Sequence, residues 1–124
     1  MALGAENFVP WEKHLSAVRL IKKLKKTHPG IQILALENRL SVGAARLAST
    51  SDSESRRDII RPLNKFKPKF PLALILGEEV GGINKKLINL CDQVLEIPMR
   101  GQKESLNVSV AFGVAAYELS KNSP

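Results

Sequence analysis

Two short glycine-containing turns hold the residue types in this chain of 124 that could do chemistry. The first, "LGEEVGGIN", puts Gly77 and the carboxylates Glu78 and Glu79 directly after the apolar run "LALIL" (72–76). The second, "IPMRGQKESLN", starts at Ile97 and passes through Ser105, Leu106 and Asn107 before the chain turns apolar again. A carboxylate at such a rim can take or give a proton, or accept a hydrogen bond from a hydroxyl or amine. Adjacent side chains point different ways, so at most one of Glu78 and Glu79 faces a shared pocket. Neither turn has the Gly-Lys-Ser/Thr of a phosphate-binding P-loop or the GxGxxG of a dinucleotide fold. Nucleoside triphosphate and classical dinucleotide binding are therefore not supported. A ligand site still fits, because parallel α/β sheets bind ligands just beyond the carboxyl ends of their strands. Gly77 would allow a close backbone approach or a positive φ there. The plainer alternative is that both turns are only connections; two of them flanking one unit favour a site.

Other candidate groups are fewer. Arg19, Lys22, Lys23 and Lys26 recur at i, i+3, i+4 and i+7, which makes one stripe on a helix and a candidate phosphate-contacting surface. A solvated helix face is the competing reading. Residues 1–71 carry fourteen basic and six acidic side chains, and residues 72–124 carry five and six. That asymmetry suits a polyanionic partner such as nucleic acid. His14 and His28 read as structural or surface residues, and Trp11 and Tyr117 as packing residues. Cys91 is the single cysteine, so no intrachain disulfide can form, and a reducing compartment fits. No CxxC or Cys/His cluster points to a metal.

The elements that must position these groups follow from periodicity. "PWEKHLSAVRLIKKLKKTHPG" reads as a helix whose apolar stripe is Trp11, Leu15, Val18, Ile21 and Leu24, stopped by His28-Pro29-Gly30. "IQILAL" (31–36) reads as a buried strand. Residues 38–62 look like an insertion, with a polar, aperiodic centre at 49–58. "NKFKPKFP" (64–71) is an extended basic lead-in to "LALIL", a strand expected to be covered on both faces. "INKKLINLC" (83–91) reads as a short helix capped by Asn84, with Ile83 stapled onto Ile88. "VLEI" (94–97) is a strand, and a final helix runs from about Leu106 to Lys121. The order predicts one α/β domain over 1–124 with parallel pairing. The last helix is apolar nearly all round and needs more cover than a small domain provides. A subunit partner is the economical explanation. The sequence shows no membrane span and no signal peptide, so the expected location is cytoplasmic.

The stretch "LALILGEEVGGINKKLINLCDQVLEIPMRGQKESLNVSVAFGVAAYEL" closely resembles the C-terminal half of the SpoU (TrmH-like) RNA 2'-O-ribose methyltransferases of the SPOUT superfamily. Two of that family's three motifs match. The second is the apolar strand followed by Gly77, a variable position and Glu79; Glu78 stands where the family often has Asn. The third is Ile97-Pro98-Met99, then Gly101, then Ser105-Leu106-Asn107-Val108-Ser109-Val110-Ala111. "LGAENFVPW" and the following helix are similar to the middle of such domains, less distinctively.

The resemblance implies a parallel-sheet SPOUT-type fold with a C-terminal trefoil knot, a rare exception to unknotted topology. S-adenosylmethionine would sit in the knot, lined by Leu76, Gly77, Ile97, Met99 and Leu106. Glu79, Ser105 and Asn107 would shape the methyl-transfer site. The apolar last helix would seal the knot and form a homodimer, and the substrate would be the ribose 2'-hydroxyl of tRNA or rRNA. The family's first motif, an Asn-rich loop followed by an Arg that activates the hydroxyl, has no match in residues 1–30. The expectation is therefore an N-terminally truncated domain, slow or inactive alone. Two alternatives are a non-catalytic dimeric remnant that binds cofactor or RNA, and, without the family, a basic α/β nucleotide-binding module.

Overall fold

Four consecutive buried residues, Ile33 to Leu36, mark the centre of the molecule. They belong to β1 (Gln32–Leu36), whose side chains alternate between two apolar clusters because successive strand residues face opposite ways. The computed structural model describes residues 9–37, 60–77, 82–98 and 107–121. In chain order these form α1 (Ala17–Thr27), β1, β2 (Ile60–Pro62), a 3-10 turn (Leu63–Lys65), β3 (Leu72–Leu76), α2 (Lys85–Leu90), β4 (Gln93–Glu96) and α3 (Val108–Ser120). The sheet order is β2-β4-β1-β3 and every pairing is parallel. An α/β architecture with a parallel sheet is as expected. The knot expected around the third motif involves residues 99–106, which lie outside those described.

One face of the sheet is covered by α1 and α2. Ile21 from α1 and Ile88 from α2 pack with Ile33, Ala35, Ile83 and Val94. The other face is covered by α3 and by the chain entering β3. There Ala115 and Leu119 meet Leu34, Leu36, Leu63 and Leu95, with Phe66 and Ile97 against them. Residues Ile83 and Ile88 share the first cluster, as the staple reading requires. Asn84 caps α2 through Oδ1, which accepts from the Lys86 N–H at 2.7 Å. Cys91 is buried at the helix end, its thiol donating to the Leu87 carbonyl.

Three expectations need correction. The first helix begins at Ala17, not near Pro10. Ser16 is extended at φ −137° and its Oγ accepts from the Arg19 N–H, which fixes the start. Trp11 and Leu15 consequently lie outside the helix and are exposed, Trp11 at 69%. Their spacing continues the helical period without continuing the helix. Second, β3 is covered on both faces but only partly: Ala73 and Ile75 pack against the first cluster and Leu72, Leu74 and Leu76 against the second, yet all five residues stay half-buried. In the described sheet β3 is an outer strand, a placement its composition does not encode. Third, the insertion-like stretch ends in structure, because Ile60–Pro62 form β2 and pair with β4 from Val94 to Glu96. Residues 38–59 lie outside those described.

Two polar links tie neighbouring elements together. Lys25 reaches from α1 to donate to the Leu90 carbonyl at 2.5 Å, satisfying an orphan acceptor at the end of α2. Asp92 Oδ2 accepts from the Ile33 N–H at 2.7 Å, and the Asp92 N–H donates to the Ile33 carbonyl at 2.7 Å. This pair sets the register between the starts of β1 and β4.

Candidate functional site

Parallel pairing puts the carboxyl ends of β3, β1 and β4 side by side. Leu36 is opposite Leu76 on one side and Leu95 on the other. The next residues are Gly77, Glu37 and, after Glu96, Ile97. The structure thus brings Leu76, Gly77 and Ile97 to one edge of the sheet, with β1 between them. Leu76 and Ile97 are half-buried and pack against the second core cluster. Asn107 begins α3, and its Oδ1 accepts from the Ser109 N–H at 2.8 Å. Glu79, Met99, Ser105 and Leu106 lie outside the described residues.

Gly77 meets the steric requirement anticipated for it. A Cβ there would lie 2.5 Å from the Gly82 carbonyl carbon and 2.7 Å from the Ile83 nitrogen. The backbone of the returning turn therefore occupies the space of a side chain. The positive φ of this turn falls at Gly82 (67°), not Gly77. Sequence reasoning missed the group that closes the turn. Glu37, half-buried at the end of β1, accepts from the Ile83 N–H through Oε2 at 2.6 Å. The same oxygen would be 2.6 Å from a Cβ on Gly82. Its signal, a carboxylate right after a buried strand, acquires meaning only once β1 is known to lie beside Gly77.

This edge combines apolar residues with a closely packed backbone turn. It offers apolar flanks at Leu76 and Ile97 and a turn packed too tightly for any side chain at Gly77. Among the described residues, no group of three or more His, Cys, Asp or Glu could hold a metal ion.

Arg19, Lys22, Lys23 and Lys26 are all exposed on α1, on the side of the sheet opposite α3. Lys25, which is outside that stripe, is the lysine used structurally. Tyr117 does not pack within the chain; it is 70% exposed, with the Lys121 ammonium 5.2 Å from its ring centroid. His14 sits at the surface, 2.8 Å from Glu12 Oε2.

Comparison with known proteins addresses the family. The family model described as "SpoU rRNA Methylase family" matches residues 1–117. A 23S rRNA (guanosine-2'-O-)-methyltransferase RlmB from Haemophilus influenzae is 33% identical over 119 residues, covering 96% of this chain and 40% of its own length. The protein of the same name from a Burkholderia species is 32% identical over 117 residues, covering 94% and 39%. A tRNA (guanosine(18)-2'-O)-methyltransferase from Aquifex aeolicus is 39% identical over 51 residues, 41% of this chain and 24% of its own. The chain thus spans at most two-fifths of the length of these relatives. With the family model matched along nearly its whole length, this chain belongs to the SpoU rRNA methylase family.

Proposed function

We propose that the chain is the cofactor-binding part of an S-adenosylmethionine-dependent methyltransferase that modifies the ribose 2'-hydroxyl of rRNA or tRNA. The observation that carries this reading is the edge at Leu76, Gly77 and Ile97, where Gly77 is packed so closely that no other residue fits. The names of the relatives, 2'-O-methyltransferases of rRNA and tRNA, support the substrate class. Leu76, Gly77, Ile97, Met99 and Leu106 would hold the cofactor, which when bound supplies an electrophilic methyl group. Glu79, Ser105 and Asn107 would orient the ribose. The third-motif chain would form the trefoil knot, and the whole of 1–124 would act as one domain in the cytoplasm.

Two surfaces complete the proposal. Val110, Phe112, Val114 and Tyr117 on α3 are large, apolar and exposed, which suits a two-fold homodimer. The α1 stripe supplies phosphate contacts. A ribose hydroxyl is a poor nucleophile at neutral pH and needs a group to take or share its proton. The resemblance assigns that role to the first-motif Arg, which residues 1–30 do not contain. A second reading, a dimeric remnant that binds cofactor or RNA without turnover, uses the same cofactor edge and the same exposed α3 face. Titration calorimetry with S-adenosylhomocysteine tests the shared core of both. Binding is expected; a well-folded chain that shows none removes the cofactor site.

A further inference from the structure

Resting on the reading that RNA is the partner, we infer that residues 61–70 form a second RNA-binding surface, a track for single-stranded RNA built on the opposite layer from α1. The segment "IRPLNKFKPKFP" (60–71) has four basic residues and no acidic one. Its side chains divide by exposure. Leu63 is buried and Phe66 packs against the core cluster beneath α3. Arg61, Lys65, Lys67 and Lys69 are exposed. None of these four pairs with a described carboxylate. From Phe66 to Lys69, half-buried and exposed residues alternate, so Lys67 and Lys69 share the outward side of an extended chain. Their spacing is about 7 Å, two residues of extended backbone.

The backbone of this track is fixed. The Lys69 N–H donates to Gln32 Oε1 at 2.7 Å, and the Gln32 N–H donates to the Pro71 carbonyl at 2.9 Å. The Phe66 N–H donates to the Leu63 carbonyl at 3.2 Å. Solubility alone needs exposed lysines, not lysines on an anchored chain. Anchoring lowers the ordering cost when a partner binds. At the end of the row stands Phe70, 36% exposed. A line of positive charges that follows a phosphate backbone, next to an aromatic ring on which a base can stack, is the pattern that binds single strands without sequence preference. The stripe on α1 has no exposed aromatic among its own residues and lies across the sheet, so the two surfaces can be separated by mutation.

The test is fluorescence anisotropy with a labelled 20-nucleotide polyuridine RNA, and with heparin as a polyanion lacking bases. Three variants are compared with wild type: Lys65→Gln/Lys67→Gln/Lys69→Gln, Phe70→Ala, and Arg19→Gln/Lys22→Gln/Lys23→Gln/Lys26→Gln. Thermal unfolding confirms that each is folded; the substituted lysines are exposed and Phe70 is partly so. The triple variant should lose at least tenfold in RNA affinity, and its salt dependence, as d log K/d log[salt], should flatten by about 2, from three single-strand phosphate contacts. Phe70→Ala should lose about tenfold on RNA and keep its heparin affinity. Unchanged RNA binding by the triple variant overturns the track, and if the α1 variant alone then loses binding, the RNA reading itself survives. Equal losses on RNA and heparin by Phe70→Ala overturn the single-strand assignment. Wild type that binds no RNA overturns both the track and the reading it rests on.

Discussion

Gly77 and Glu37 hold one turn from two sides. Gly77 leaves room for the Gly82–Ile83 backbone, and Glu37 anchors the Ile83 amide. Adding a methyl group in so tight a contact forces backbone movement, typically costing about 1–3 kcal/mol. Gly77→Ala should therefore lower stability in urea unfolding by about that amount and weaken S-adenosylhomocysteine binding. Full retention of both would show that the close approach is dispensable. Glu37→Gln keeps the shape but removes the charge from a charge-assisted hydrogen bond, at a cost of about 1 kcal/mol. Faster hydrogen exchange at the Ile83 amide is the expected readout, and an unchanged rate counts against the anchor. Gly77 could be singled out in the sequence because an apolar run precedes it and glycine has few other uses there. Glu37 could not, because its partner is 46 residues away and is fixed only by strand order.

Among the elements, α3 and β3 are both legible in the sequence as elements, but how far each is covered is not. An almost wholly apolar helix announces burial from its composition alone. In the structure Ala115 and Leu119 face the sheet, while Val110 at 53% and Phe112 at 50% remain exposed. The proposed homodimer would cover that excess. Phe112→Asp should dissociate the dimer, weakening it by about 30-fold or more if Phe112 is a central contact; sedimentation at micromolar concentration decides, and a compact wild-type monomer would refute the dimer outright. The start of α3 depends on Asn107. Replacing this cap by Ala should cost about 1 kcal/mol, measured by chemical denaturation, and an unchanged midpoint would mean that the cap is redundant. "LALIL" has the composition of a central strand and packs on both clusters, yet it stays half-buried as an outer strand of the described sheet, a position set by topology that no local pattern contains. The start of α1 misled for a similar reason: Trp11 and Leu15 keep the period, but Ser16 breaks the backbone.

At the scale of the molecule, positive charge is concentrated in residues 1–71. The described structure divides part of it between the two faces of one sheet. On one face, Arg19, Lys22, Lys23 and Lys26 offer a helical row. Changing all four to Glu should weaken binding to every RNA tested and reduce the salt slope by about 3; affinity that is flat from low to high salt would make the row a solvated face. The candidate cofactor edge lies at the carboxyl ends of the strands between these layers. Under the proposed function, chemistry there needs a group to activate the ribose hydroxyl, a role that the resemblance gives to an Arg outside the two matched motifs. The most direct measurement is transfer of labelled methyl from S-adenosylmethionine to unmodified rRNA and tRNA, followed by nucleoside analysis. It compares residues 1–124 alone with the same chain joined to a segment carrying the family's first motif. Little or no transfer is expected from the chain alone, and clear 2'-O-methylation of ribose from the joined protein. Label on a base, or no transfer by a joined protein that still binds cofactor, would contradict this expectation.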